Sequence, residues 1–127
     1  MIMLACSRGE VIASQALAAS VNTNPVVVRR LLMALRRAGL IETVAGKNGG
    51  ACLRTDPERI SLSEIYDAVE QRRVIPVNER KALRQCQVSC NMKRIMSSVA
   101  EGTEEVVRKH LRGVTLAQLV RKVRCPR

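Results

Sequence analysis

A chain of 127 residues has room for one compact domain and an appended helix, and a hydrophobic share of 46% is enough to build a core. With no Trp, no Phe and a single Tyr, that core is aliphatic; this suits helices packed by ridges and excludes single-strand binding on aromatic stacking platforms. Lys and Arg number 22 against 11 Asp and Glu, a net charge of +11, which is the balance of a nucleic-acid-binding domain.

The apolar start, Met1 to Cys6, predicts the tail of a first helix. It is too short for a signal peptide and no basic stretch precedes it. No later stretch reaches the roughly 18 apolar residues of a membrane span, so a cytoplasmic protein with no membrane contact is expected. Ser14 to Ser20 is rich in good helix formers and predicts a second helix. Val21-Asn22-Thr23 is a short polar turn. Asn24 then caps a third helix with Pro25 at its first position, where a missing N–H costs nothing. Its apolar stripe is Val28, Leu31, Leu32 and Leu35, with Arg29, Arg30, Arg36 and Arg37 mainly off the stripe. Gly39 stops it.

Ile41 to Val44 predicts a short strand, Gly46 to Gly50 a tight turn, and Ala51 to Arg54 the returning strand. Asp56-Pro57 breaks the chain. Ser61-Leu62-Ser63-Glu64 has the capping-box pattern and opens a helix to about Glu70. The charged stretch Arg72 to Gln85, with Pro76, is a loop. A long helix follows from about Ser89 to Leu111, apolar at Met92, Ile95, Met96, Val99, Val106 and Leu111. Gly113 ends it, and Thr115 caps a last short helix from Leu116 to about Val123. The expected class is mainly α with a small β-hairpin: a winged helix–turn–helix over residues 1–71, a loop over 72–88, and a dimerisation helix with a C-terminal helix over 89–127.

Helix, short turn, helix and hairpin suit duplex DNA. A helix about 10–12 Å across fits the major groove, where base edges are distinguishable. Between Asn24 and Arg54 lie Arg29, Arg30, Arg36, Arg37, Lys47 and Arg54, opposed only by Glu42. Arg29 and Arg30 sit where a groove-inserted helix uses them for phosphate or guanine. Arg36 and Arg37 are divided between phosphate contact and stabilising the helix C-terminus. Gly49 and Gly50 are expected to take positive φ and offer N–H groups to a phosphate, or else simply to turn the hairpin. The expected DNA-binding set is Ser14, Asn24, Val26, Val27, Arg29, Arg30, Lys47, Asn48, Gly49 and Gly50.

The run Asn24-Pro25-Val26-Val27-Val28-Arg29-Arg30-Leu31-Leu32, followed by Leu35-Arg36-Arg37-Ala38-Gly39-Leu40, Gly49-Gly50, Asp56-Pro57-Glu58, Ile60-Ser61-Leu62, Ile65 to Val69 and Val114 to Leu119, resembles one bacterial family of winged helix–turn–helix regulators. That family includes the iron–sulfur cluster regulator, the nitric-oxide-sensing repressor and the cysteine-metabolism repressor. The resemblance spans nearly the whole chain. It implies a homodimer in which the long helix crosses its mate, with Met92, Ile95, Met96, Val99 and Val106 at the interface. Two heads would then face a palindromic site. Ala45 and Ala51 stand where family wings carry an arginine and a tyrosine, leaving Lys47 as the substitute contact.

Cluster-binding members carry three cysteines before the long helix. Here Cys86-Gln87-Val88-Ser89-Cys90 has two, short of the four ligands of a cluster. The segment resembles the branch without a cluster, so neither cofactor nor metal is expected, with an iron–sulfur cluster as the alternative. Cys86 and Cys90 are the redox candidates, near a helix N-terminus with Arg84, Lys93 and Arg94 close in sequence. Simple space filling is the other account of Cys86, and the favoured one for Cys6 and Cys52. One His, no nucleophile–base pairing and no phosphate-binding loop argue against an enzyme. The expected function is a sequence-specific duplex-DNA-binding repressor responsive to redox state; the alternatives are a cluster-sensing regulator and a winged-helix protein-interaction module.

Overall fold

Local signals set most boundaries. A computed structural model describes residues 1–123 and Cys125. It begins with α1 (Ile2–Cys6) and α2 (Ser14–Ser20). Asn24 then accepts the Val26 N–H on Oδ1 at 2.8 Å, and with Pro25 at the first position this starts α3 (Pro25–Arg37). At the other end Gly39, at φ +75°, turns the chain into the left-handed region. The Gly39 N–H bonds to Arg36 O at 2.9 Å and the Leu40 N–H to Leu35 O at 3.1 Å, the paired bonds of a Schellman stop.

Strands β1 (Ile41–Val44) and β2 (Gly50–Leu53) pair antiparallel, Ile41 opposite Leu53 and Val44 opposite Gly50. β2 starts one residue before the expected Ala51. Its outer edge is taken by Ile12, which exchanges two backbone bonds with Ala51, each 2.9 Å. A 3-10 turn (Pro57–Arg59) leads to α4 (Leu62–Val69), where Ser61 and Glu64 form the expected reciprocal capping box.

The long helix is α5 (Gln87–Arg112), 26 residues and about 39 Å at 1.5 Å per residue. It begins two residues before the expected Ser89, because Cys86 serves as its cap. The Ser89 N–H donates to Cys86 Sγ at 3.4 Å, while Ser89 Oγ accepts the Leu83 N–H at 2.9 Å. Last comes α6 (Leu116–Lys122), opened by a Thr115–Gln118 capping box. The expected C-terminal unit runs to Arg127; Arg124, Pro126 and Arg127 lie outside the described residues.

The core gathers Leu4, Leu17, Val28, Leu32, Leu35, Leu40, Ile41, Ile60 and Leu116. Burying each such side chain is worth about 1.5–3 kcal/mol. Leu31 departs from its expected place in this core. It is exposed on the wall of an open apolar cavity. α6 packs back on α1 and the 3-10 turn, and α4 is the main support of α5. Along α5 only Ala100 and Glu104 are buried. Met92, Ile95, Val99 and Val106 are exposed and Met96 is half-buried, so the apolar face has no cover among the described residues of one chain.

Candidate nucleic-acid interface

The turn between α2 and α3 is fixed by its backbone. Asn22 takes φ +50°, a conformation Asn tolerates better than most residues. The Thr23 N–H returns to Ala18 O at 2.9 Å, closing the end of α2. Arg29 Nε donates to Ser14 Oγ at 3.4 Å, tying the start of α2 to the second turn of α3. The N-terminal end of α3 is left open, with Val26 and Val27 exposed there.

Between α2, α3 and the hairpin lies a cleft of about 440 Å³. It brings together Ser14, Arg29, Lys47, Gly49 and Gly50 of the expected set. It does not take in Asn24, Val26, Val27, Arg30 or Asn48. Asn24 is used as the helix cap, and its side-chain oxygen is spent on Val26 N–H. Gln15, Met33, Arg36 and Thr43 also line the cleft and were absent from the expected set. Arg29, Met33 and Arg36 are spaced by four and three, one face of a helix, so periodicity carries that signal. Gln15 and Thr43 join only through the tertiary arrangement.

The cleft is electropositive. Arg54 is partly offset by Glu42 at 3.9 Å. No ion pair among the described residues involves Arg29, Arg30, Arg36, Arg37 or Lys47. Several uncompensated cations on one face form the footprint of a phosphate backbone.

The expected reason for Gly49 and Gly50 needs correction. Positive φ in the hairpin falls on Gly46, at +105°, and on neither of the other two. Close approach is what requires them. A Cβ on Gly49 would lie 2.3 Å from Val44 O, and one on Gly50 would lie 2.2 Å from Ile12 O. The Gly49 N–H is already spent on Gly46 O at 3.0 Å, so it is not a phosphate donor.

The cysteines separate into two groups. Cys6 is not a simple filler: it is disulfide-bonded to Cys125. Cys52, Cys86 and Cys90 are free thiols. Cys90 Sγ donates to Leu83 O at 3.5 Å. Two of the three cations expected near these thiols are engaged elsewhere: Lys93 pairs with Glu79 at 2.5 Å and Arg94 reaches Asn91 at 3.5 Å. Lys93 holds the Glu79 carboxyl below its ordinary value, mainly through that hydrogen bond. Among the described residues no group of three or more His, Cys, Asp or Glu side chains is placed to hold a metal ion.

Comparison with known proteins agrees with this geometry. The chain is 31% identical over 119 residues to YwnA of Bacillus subtilis (strain 168), whose name assigns it to the HTH-type transcriptional regulators; the match covers 94% of this chain and 89% of YwnA. A transcriptional-regulator structure from Lactobacillus plantarum superposes with a TM-score of 0.76 at 25% identity, over 92% of this chain and 80% of that one. The oxidized form of Staphylococcus aureus CymR superposes with a TM-score of 0.64 at 26% identity, over 94% and 85%. The profile of the Rrf2 family, described as iron-dependent transcriptional regulators, matches residues 1–122. The chain therefore belongs to the Rrf2 family of DNA-binding transcriptional regulators and is not an enzyme.

Proposed function

We propose that the protein acts as a homodimer, setting two α3 helices into successive major grooves of a palindromic duplex and repressing transcription there. The observation that carries this is the cleft in which Arg29, Arg36 and Lys47 stand uncompensated between α3 and the hairpin. The exposed apolar face of α5 supports the dimer, since a solvent-facing row of Met92, Ile95 and Val99 gains by meeting a second copy. On this reading residues 1–71 form the DNA head and α5 the joint between heads. No helix among the described residues is long and apolar enough to cross a membrane. A cytoplasmic location follows from the DNA-binding role.

Iron is no part of this reading. A cluster needs four ligands. Cys86 and Cys90 are two, and among the described residues no third Cys, His, Asp or Glu side chain is grouped with them to hold a metal. That donor set does not fit a cluster. Thiol chemistry at Cys86 is a second reading, supported by its place as the cap of α5, where its Sγ takes the Ser89 N–H at 3.4 Å. Alkylation of the native protein checks it: Cys86 and Cys52 are both half-buried, so Cys86 should react faster only if its site activates it, and equal rates would remove the reading.

The test of DNA binding is an anisotropy titration of the reduced protein with the duplex upstream of its own coding region and with random duplex, at about 50 and 200 mM salt. Tight, salt-sensitive binding with a preference for the upstream duplex is expected. Salt-insensitive binding, or equal competition by duplex RNA, would overturn the reading.

A further inference from the structure

Cys6, at the end of α1, and Cys125, beyond α6, are 119 residues apart in sequence, with their Cα atoms 5.6 Å apart across the disulfide. That separation is ordinary for the bond. The bond joins two parts of the molecule with different duties. On one side, α1 runs on to Ile12, whose N–H and C=O both pair with Ala51 of β2. α1 is thus anchored to the wing. On the other side, α6 follows directly from α5 and is held to the head where the Leu116 N–H meets Ile60 O at 2.8 Å.

Packing joins these parts through Leu4 and Leu116, both buried in the core, but leaves open space beside them. An open apolar cavity of about 670 Å³ lies between α1, α3, α4 and α6, with Leu31, Leu35, Ile65 and Leu119 on its walls and both cysteines among its lining. Walls facing a void forgo the contacts that would otherwise fix them. The covalent bond supplies a constraint that side-chain packing does not. Both cysteines are half-buried, so a small oxidant reaches them. In a reducing compartment such a bond is transient and redox-sensing rather than permanent.

We propose that Cys6 and Cys125 are a reversible redox clasp, closed by a peroxide, and that closure raises DNA affinity by fixing α1, and through it the wing, against the helix that follows α5. The DNA clause rests on the function proposed above. In the closing step one thiolate attacks a peroxide oxygen, the O–O bond breaks and hydroxide leaves, giving a sulfenic acid. The second thiolate attacks that sulfur, the S–S bond forms and a second hydroxide leaves. Two thiols lose two electrons to the peroxide, and their two protons convert the hydroxides to water. A dithiol reductant reopens the bond by exchange.

The experiment uses the full chain, reduced by a phosphine and then treated with hydrogen peroxide. Two of the five thiols should disappear, and a non-reducing peptide map should join Cys6 to Cys125 within one chain. The melting temperature should rise by more than about 5 °C, since the bond closes a loop of nearly the whole chain. Affinity for the upstream duplex should rise about fivefold or more. Cys86→Ser/Cys90→Ser should keep all three effects and Cys6→Ser/Cys125→Ser should lose them. Where the latter does not fold, the reduced wild type serves as the open state. A map joining other cysteines or none, a closed bond with unchanged or weaker affinity, or a response lost in Cys86→Ser/Cys90→Ser would overturn the clasp. With the bond formed and melting raised, no duplex binding in either redox state would sink the DNA reading together with the affinity clause; failure of the bond in a protein that binds DNA sinks the clasp alone.

Discussion

Glu104 Oε1 accepts the backbone N–H of Val74 at 2.5 Å, which pins the loop leaving α4 to the middle of α5. The other oxygen takes the Tyr66 hydroxyl at 3.4 Å and lies 3.8 Å from Arg108, which also donates to Asp67 at 2.8 Å. A carboxylate left only 8% exposed is tolerated because each of its oxygens has a partner. Glu104→Ala strands the Val74 donor and leaves Arg108 with Asp67 alone. We expect a loss of about 1–3 kcal/mol in urea unfolding. Glu105→Ala, whose partner Arg112 is mostly exposed, should change stability by less than about 0.5 kcal/mol. Equal effects at the two positions would show that the buried node does not hold the loop.

The same node predicts a response to alkali. Burial, then the nearby Glu104 and Glu70 carboxylates, hold the Tyr66 hydroxyl above its ordinary value of 10.0. A raised value in the fold means the neutral hydroxyl is the favoured form. Its contribution is therefore fully present below pH 10 and is lost as pH climbs through the folded-state value. Denaturant midpoints measured from neutral pH to above pH 10 should fall more steeply for the wild type than for Tyr66→Phe. Parallel curves would remove Tyr66 as the titrating group.

What the sequence disclosed follows from the range of the interactions. Asn24-Pro25, Gly39 and Ser61 to Glu64 act within one helical turn, so composition and spacing announce them, and the elements begin and end there. The basic face of α3 was likewise visible. Pairings across the chain were not. Nothing local ties Cys6 to Cys125, Ile12 to Ala51 or Glu104 to Val74. The wing glycines were noticed for a reason the backbone does not bear out, because whether a glycine answers to φ or to a close neighbour depends on what lies beside it. Gln15 and Thr43 reach the cleft only because α2 and the hairpin fold against α3.

That distinction among glycines can be measured. A methyl on Gly50 would fall 2.2 Å from Ile12 O, and backbone on that edge has no easy way to yield. Gly50→Ala should cost about 1–3 kcal/mol and weaken DNA binding by displacing the wing. Gly102 lies inside α5, and a methyl there meets nothing within 4 Å. In a Val99→Asp background, which keeps the chain single, Gly102→Ala should raise stability by about 0.5–1 kcal/mol through helix propensity alone. Thermal melts of the two variants should move in opposite directions. A neutral Gly50→Ala would mean that the Ile12–Ala51 bridge does not constrain the wing.

The proposed dimer rests on the face of α5. Ile95 and Val99 are 47% and 50% exposed in the single chain, four residues apart on one side of the helix. In an isolated chain, Val99→Asp exchanges one solvated side chain for another and should leave the fold intact. In a dimer built on this face it buries one unpaired carboxylate from each copy. The dimer dissociation constant should then rise by about a hundredfold or more, and Ile95→Asp should act in the same direction. Sedimentation at micromolar concentration reads the change as a shift toward single-chain mass, with circular dichroism unchanged. Binding to a two-half-site duplex should weaken far more than binding to one half-site, because the loss is in coupling two heads and not in reading bases. A Val99→Asp protein that still sediments as a dimer would place the interface on another surface, and the apolar cavity lined by Leu31 and Leu119 would be the next face to substitute.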